Sequence, residues 1–159
     1  MKEERIKIER KWAMPSHHTF TIKPIAELIE RYKKGDWIDP FAGEHSPAVF
    51  TNDLNPDKPT KYHLEATEFI KQMESAKFAF DGAFFDPPYS LRQIMECYEG
   101  IGLVPDKKWA TTKFYTDVKN GLARVIKPGG LCISFGWNTI GLGKKRGFEI
   151  EEILIVSHG

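Results

Sequence analysis

The sequence has few features that would tie the protein to a membrane, an oxidising compartment or a structural metal. Its only cysteines, Cys97 and Cys132, are too few and too far apart for a disulfide framework, and no paired-Cys or Cys/His spacing predicts zinc. His17 and His18 are adjacent, so their side chains diverge in either periodic structure and predict no chelating pair. The sequence has no long apolar run and no secretory hydrophobic segment near Met1. These absences predict a cytoplasmic protein with no membrane partner and no metal site.

A marked excess of either charge is also missing. Twenty-three Lys and Arg residues face 22 Asp and Glu, for a formal net charge of +1, which is not typical of an avid nucleic-acid binder. Basic clusters within residues 5–11, 107–108 and 144–146 could still contact phosphate, although such runs are usually solvated surface. The 159 residues predict a single domain, 1–159, large enough to bury a core.

The hydrophobic pattern alternates between helical and extended spacing. It predicts an α/β fold, a parallel sheet with helices on its faces. Predicted helices cover residues 22–32, 66–76, 91–98 and 111–125, the last capped by Pro128-Gly129-Gly130. Predicted strands cover residues 37–41, 48–51, 62–64, 79–85, 131–135 and 148–156.

Acidic residues lie at or just past the ends of four predicted strands. They are Asp39, Asp53, Glu65 and Asp86. In doubly wound sheets, ligands bind at the carboxyl ends of the strands. Aspartate is common in loops, but four acidic groups on one edge favour a ligand site over coincidence.

The most informative stretch is Asp86-Pro87-Pro88-Tyr89, which follows the apolar run Ala83-Phe84-Phe85. It offers two acceptors, the Asp86 carboxylate and the Pro87 carbonyl, and neither proline has a backbone N–H. Tyr89 adds an aromatic face for stacking. A nucleobase with an exocyclic amine fits this arrangement, whereas the alternative is an ordinary turn with a local Asp cap.

This tetrapeptide resembles the catalytic motif of the amino-methyltransferases, which use S-adenosylmethionine to methylate N6 of adenine or N4 of cytosine. The segment Trp37-Ile38-Asp39-Pro40-Phe41-Ala42-Gly43 resembles their cofactor motif, and Thr51-Asn52-Asp53-Leu54-Asn55 resembles the acidic end of their second strand. Phe20-Thr21-Ile22-Lys23-Pro24 resembles the segment that packs over the methionine end of the cofactor. The chain is similar to small, phage-type adenine-specific DNA methyltransferases over nearly its whole length.

The resemblance implies a class I S-adenosylmethionine-dependent methyltransferase fold and a set of site residues. The catalytic positions would be Asp86, Pro87, Pro88 and Tyr89. The cofactor-binding positions would be Lys23, Asp39, Pro40, Phe41, Ala42, Gly43, Asp53, Leu54, Glu65 and Asp86. The chain departs from the family pattern after Gly43, where Glu44-His45-Ser46-Pro47 stands in place of a second glycine.

The implied activity is methylation of adenine N6 in DNA, either a single strand or a short duplex site, in a bacterial or phage-infected cell. A homodimer is a further expectation. Two alternatives remain open: the same reaction on RNA, and a cofactor-binding module without turnover. The residues disfavour a nicotinamide dehydrogenase, since no Gly-x-Gly-x-x-Gly follows the first strand. They exclude C5-cytosine methylation, since neither cysteine follows a proline.

Two further expectations concern target recognition and the sheet. Because no separate recognition domain fits in this length, the segment 90–113 is the candidate, with basic and aromatic side chains at Arg92, Lys107, Lys108, Lys113, Tyr98 and Trp109. The family's last strand lies between the fifth and sixth, and only three residues follow Val156. An incomplete sheet, with an unpaired edge beside residues 131–135, is therefore expected.

Overall fold

The fold combines two parallel sheets with four α-helices, in a computed structural model that describes residues 5–103 and 112–158. The helices are α1 (Lys23–Tyr32), α2 (Ala66–Ser75), α3 (Leu91–Glu99) and α4 (Thr112–Val125). The strands are β1 (Lys7–Trp12), β2 (Trp37–Asp39), β3 (Phe50–Thr51), β4 (Phe80–Phe85), β5 (Ile126–Ser134) and β6 (Glu152–Ser157). Short 3₁₀ turns cover Thr19–Thr21 and Lys144–Arg146. The predicted α/β class is confirmed.

The larger sheet has four parallel strands in the order β3-β2-β4-β5. Ile38 of β2 pairs with Phe50 on one side and with Ala83 on the other. The chain therefore adds β3 on one side of β2 and then β4 on the other, so the strand order reverses between β2 and β4. In such sheets, ligands bind in the crevice beyond the carboxyl ends of these two strands.

Alternation along the strands separates two layers of core. Trp37 and Phe84 face α1, whose buried residues include Ile25 and Ile29. The opposite face packs against α2 and α4, through a cluster that includes Ile38, Ala83, Phe85, Phe69, Ile70, Val118 and Leu122. Gly82 is required where Trp37 crosses β4, because a Cβ there would lie 2.3 Å from the indole ring. The sheet is thus covered on both faces, as a parallel sheet requires.

The smaller sheet is a ribbon of β1 and β6, which pair in parallel from Lys7–Glu152 to Trp12–Ser157. The sequence did not predict β1, because its residues alternate without an apolar face and five of its six positions are exposed. The basic residues within 5–11 are therefore exposed, as expected; Lys7, Arg10 and Lys11 lie on this strand and Arg5 precedes it. The ribbon packs on the α1 layer through Leu154 and Val156 of β6.

Two local predictions were wrong. Pro128-Gly129-Gly130 does not cap α4: it lies inside β5, where three extra residues bulge out between the pairs Phe80–Ile126 and Gly82–Leu131. Residues 62–64 do not form a strand, because only Tyr62 makes a bridge, to Asn52. Among the described residues, β5 is the outer strand of the larger sheet and β6 pairs with β1 instead.

Candidate functional site

The predicted acidic residues meet at one edge of the larger sheet. Asp39 ends β2, Asp53 follows β3 by two residues, and Asp86 directly follows β4. A cavity of about 2190 Å³ opens there and continues between β5 and β6, so its volume exceeds that of the strand-end site alone. Its lining includes the predicted site residues Pro40, Phe41, Asp53, Leu54, Glu65, Asp86, Pro87, Pro88 and Tyr89. Lys23, Asp39, Ala42 and Gly43 lie outside this lining.

Asp39 does not line the cavity, and its buried carboxylate instead supports the neighbouring turn. It is completely buried and accepts hydrogen bonds from Phe41 N at 3.0 Å and from Ser46 Oγ at 2.6 Å. Burial raises the pKa of the Asp39 carboxyl to about 7, and the Ser46 and Phe41 hydrogen bonds oppose that rise. This carboxyl thus holds both ends of the turn that carries the cofactor-like motif.

Asp53 joins the same turn to the neighbouring loop. Its Oδ2 accepts from Gly43 N at 3.1 Å and its Oδ1 accepts from Asn55 N at 2.8 Å. Because each carboxylate oxygen can accept a second hydrogen bond, Asp53 keeps acceptor capacity for a hydroxyl-bearing ligand in the cavity.

Glu65, at the start of α2, is held by α3. Tyr98 Oη lies 2.8 Å from both Glu65 oxygens. Partial burial raises the pKa of Glu65, and the hydrogen bond from Tyr98 opposes that rise. Glu65, a cofactor-binding position implied by the resemblance, is therefore in direct contact with the helix that follows the Asp86–Tyr89 motif.

Asp86 and Pro87 present the two predicted acceptors. Burial raises the pKa of Asp86 to about 6, while a hydrogen bond from the Thr19 side chain lowers it. No donor of residues 5–103 or 112–158 contacts the Pro87 carbonyl. A carboxylate and a free carbonyl thus stand on consecutive residues at the edge of the cavity.

The turn that carries these acceptors is fixed from both sides. Tyr115 Oη of α4 donates to the Pro88 carbonyl. Gln93 Oε1 accepts from Tyr89 N at 2.8 Å, and Ser90 Oγ accepts from Gln93 N at 3.1 Å. Ser90 N also donates to Gln93 Oε1 at 3.3 Å, which completes a capping box at the start of α3. The motif therefore lies between a buried strand and a capped helix.

Tyr89 packs on the loop after β5. A Cβ on Gly136, whose φ is +141°, would lie 2.8 Å from the Tyr89 ring. The Tyr89 hydroxyl is buried and has no hydrogen-bond partner among the described residues, and burial raises its pKa well above the ordinary value. The predicted stacking residue is therefore held against Gly136, with its hydroxyl buried beside this loop.

Sequence reasoning missed two residues of this site. Asn52 is buried: its Nδ2 donates to Pro40 O at 3.1 Å and to Leu64 O at 2.8 Å, and its Oδ1 accepts from Leu64 N at 2.9 Å. Trp137, next to Gly136, lines the cavity with 98% of its surface exposed. An asparagine beside a strand end and a tryptophan in a loop were the available signals, and neither is specific.

The candidate recognition segment 90–113 is described only in part. Residues 104–111, with Lys107, Lys108 and Trp109, lie outside the described residues. Arg92 pairs with Glu96 at 2.8 Å, and Lys113 pairs with Asp117 at 2.6 Å. These two cations thus have carboxylate partners within their own helices.

Comparison of the chain with known family models, curated proteins and solved structures found no match. None of the helices in the described part of the chain is long and apolar enough to cross a membrane.

Proposed function

We propose that the protein methylates N6 of adenine in DNA, with S-adenosylmethionine as the methyl donor and a class I methyltransferase fold. The observation that carries this proposal is the pair of acceptors at Asp86 and Pro87, at the carboxyl end of β4 and on the edge of the cavity. Both N–H groups of one exocyclic amine can donate to such a pair.

The chemistry explains why two acceptors matter. The lone pair of an aromatic amine is delocalised into its ring, so the nitrogen is a poor nucleophile. Hydrogen bonds to Asp86 and the Pro87 carbonyl favour a more tetrahedral nitrogen and stabilise the positive charge that develops on it. When bound, the sulfonium cofactor supplies an activated methyl group. The main task of the protein is therefore to hold the amine in line with that group.

The residues near the strand ends fit such a cofactor. Asp53 has acceptor capacity for ribose hydroxyls, Phe41 offers an apolar surface, and Glu65 offers a carboxylate for an amine, and all three line the cavity. The buried Asp39 and Asn52 fix the backbone from which these side chains project.

The target base would bind between the motif and the loop after β5. Tyr89 and the exposed Trp137 both line this part of the cavity and provide aromatic faces for a base. Stacking on an aromatic side chain is worth roughly 1–3 kcal/mol per base. Trp137→Ala should therefore weaken oligonucleotide affinity more than cofactor affinity, as titrations of both ligands would reveal. Such an enzyme would act in the cytoplasm.

The test is transfer of a labelled methyl group from S-adenosylmethionine to oligonucleotides with and without adenine. Asp86→Asn should lower turnover by about 10²-fold or more, since it removes an aligned charge. Cofactor affinity, measured by calorimetry, should change only a few-fold. Asp57→Asn, on an exposed loop, is the matched control and should keep wild-type turnover.

Near-normal turnover of Asp86→Asn would contradict the catalytic assignment. Transfer to RNA but not DNA would move the activity to the second substrate class. Cofactor binding without transfer to any oligonucleotide would indicate a binding module.

A further inference from the structure

Three potential metal ligands from two distant parts of the chain converge on the surface. His18, Glu44 and His45 each offer one ligand atom, and these atoms all lie within 4.8 Å of one another. The His18 and His45 rings pack edge to face with centroids 4.4 Å apart, and His45 Nε2 lies 3.9 Å from Glu44 Oε2. Adjacent His17 and His18 gave no chelating pair in the sequence. The partners that the fold brings to His18 are 26 and 27 residues away.

The backbones that carry these ligands are fixed. His18 N donates to Ser16 Oγ at 3.1 Å, and His18 O accepts from Thr21 N at 2.9 Å. On the other segment, Gly43 N donates to Asp53 and Ser46 Oγ donates to Asp39, so Glu44 and His45 lie on a turn anchored at both ends. Binding of an ion would therefore require little further ordering of the backbone.

The side chains themselves can adjust. All three are exposed. Ligand atoms around a tetrahedral zinc ion lie roughly 3.3 Å apart, given Zn–N distances of about 2.0–2.1 Å. Small rotations of exposed side chains can close the present spacing to that value.

We propose that His18, Glu44 and His45 bind one divalent cation of the zinc class, which cross-links the segment before α1 to the turn after β2. Two imidazoles and one carboxylate match the ligand preference of Zn²⁺, with a water molecule as the fourth ligand. Lys58 Nζ, 2.7 Å from Glu44 Oε1, is the competing cation that the metal would displace. This site is independent of the methyl-transfer proposal.

The experiment is calorimetric titration of chelator-treated, dialysed protein with Zn²⁺, with Co²⁺ absorption as a second probe. Wild type should bind one ion per chain. His18→Ala, His45→Ala and Glu44→Gln should each weaken binding by about tenfold or more, because loss of a mere hydrogen-bonding partner of a metal ligand already costs roughly 10–100-fold. Lys58→Ala should bind a few-fold tighter, since it removes the competing charge.

His17→Ala is the matched control, an exposed histidine next to a ligand, and should bind as wild type does. Zn²⁺ should also raise the melting temperature of wild type and of His17→Ala but not of the ligand variants. Melting of every variant in chelator checks that the fold is intact. Binding that saturates only at millimolar Zn²⁺, or that is weakened equally by His17→Ala and His45→Ala, would overturn the proposal.

Discussion

At the scale of single residues, the proposed methyl transfer would require Asp86 to carry a charge that its surroundings disfavour. Burial raises its pKa to about 6, and only the ionised form can accept an amine N–H while stabilising positive charge. If the protein is the proposed methyltransferase, its active fraction should therefore fall as the pH drops through about 6. We expect kcat/KM for methyl transfer to lose about tenfold per unit below that pH.

The pH profile of Thr19→Val provides the control for this assignment. The Thr19 hydrogen bond lowers the pKa of Asp86, so its loss should move the inflection of kcat/KM to higher pH. An inflection that stays in place in Thr19→Val would assign the titration to another group.

Titration of the Asp39 carboxyl should change the free energy of unfolding and not the turnover. Its pKa is about 7 in the folded protein and about 3.8 when exposed, so the folded state loses stability as the pH rises from about 4 to about 7. Asp39→Asn removes the buried charge, keeps an oxygen that accepts from Phe41 N, and places an Nδ2 that can donate to Ser46 Oγ. At pH 8 it should raise the free energy of unfolding by roughly 2–4 kcal/mol, at about 1.4 kcal/mol per pKa unit.

Urea denaturation at pH 4 and pH 8 checks this expectation. The gain should vanish at pH 4, where Asp39 is protonated in the folded protein. Ser46→Ala should have the opposite effect, because it removes a hydrogen bond that stabilises the charged form. Equal gains for Asp39→Asn at both pH values would show that charge burial is not the cause.

At the scale of elements, Asn52 joins the ends of three segments. Asn52→Ala would leave Pro40 O and both backbone groups of Leu64 without their partner. An unsatisfied buried polar group costs about 1–3 kcal/mol, so we expect about 2–4 kcal/mol of destabilisation in urea. Asn55→Ala, which loses one exposed contact to Asp57 N, should cost well under 1 kcal/mol. Similar losses for the two variants would contradict this role of Asn52.

The contrast between Asp86 and Asn52 marks what the sequence could predict. Strand ends, and with them Asp39, Asp53 and Asp86, followed from apolar runs and turn residues, which are local signals. The strand β1 could not be predicted, because its pairing with β6 links positions 145 residues apart and leaves most of its surface exposed. Local patterns also give no signal for Asn52, whose partners Pro40 and Leu64 are each 12 residues away, or for the contact of His18 with His45.

At the scale of the whole molecule, the protein consists of two sheets that share no strand-to-strand hydrogen bonds among the described residues. The β1–β6 ribbon is joined to α1 by packing, by an exposed ion pair between Lys11 and Glu27 at 3.7 Å, and by a polar cluster around Glu152. Arg31 donates to both Glu152 oxygens, at 3.0 and 2.9 Å, and Tyr32 Oη donates at 2.5 Å. Regions joined by few contacts open locally before the global fold is lost. The ribbon is therefore expected to be the first part to separate.

Low pH should separate the β1–β6 ribbon from α1 before the rest of the fold opens, because protonation of Glu152 weakens its contacts with Arg31 and Tyr32. The Arg31 hydrogen bonds lower its pKa to about 2, against about 4.5 when exposed, so its contribution is complete above about pH 4.5 and is lost as the pH falls towards 2.

Glu152→Gln should cost about 1–2 kcal/mol at pH 7, a value discounted because Arg31 is partly exposed. Hydrogen exchange at pH 7 should then quicken in β1 and β6 while β4 stays protected. Glu151→Gln, at the exposed neighbouring position, is the control and should exchange like wild type. Uniform quickening across β4 and β6 in Glu152→Gln would instead mean that the two sheets unfold as one unit.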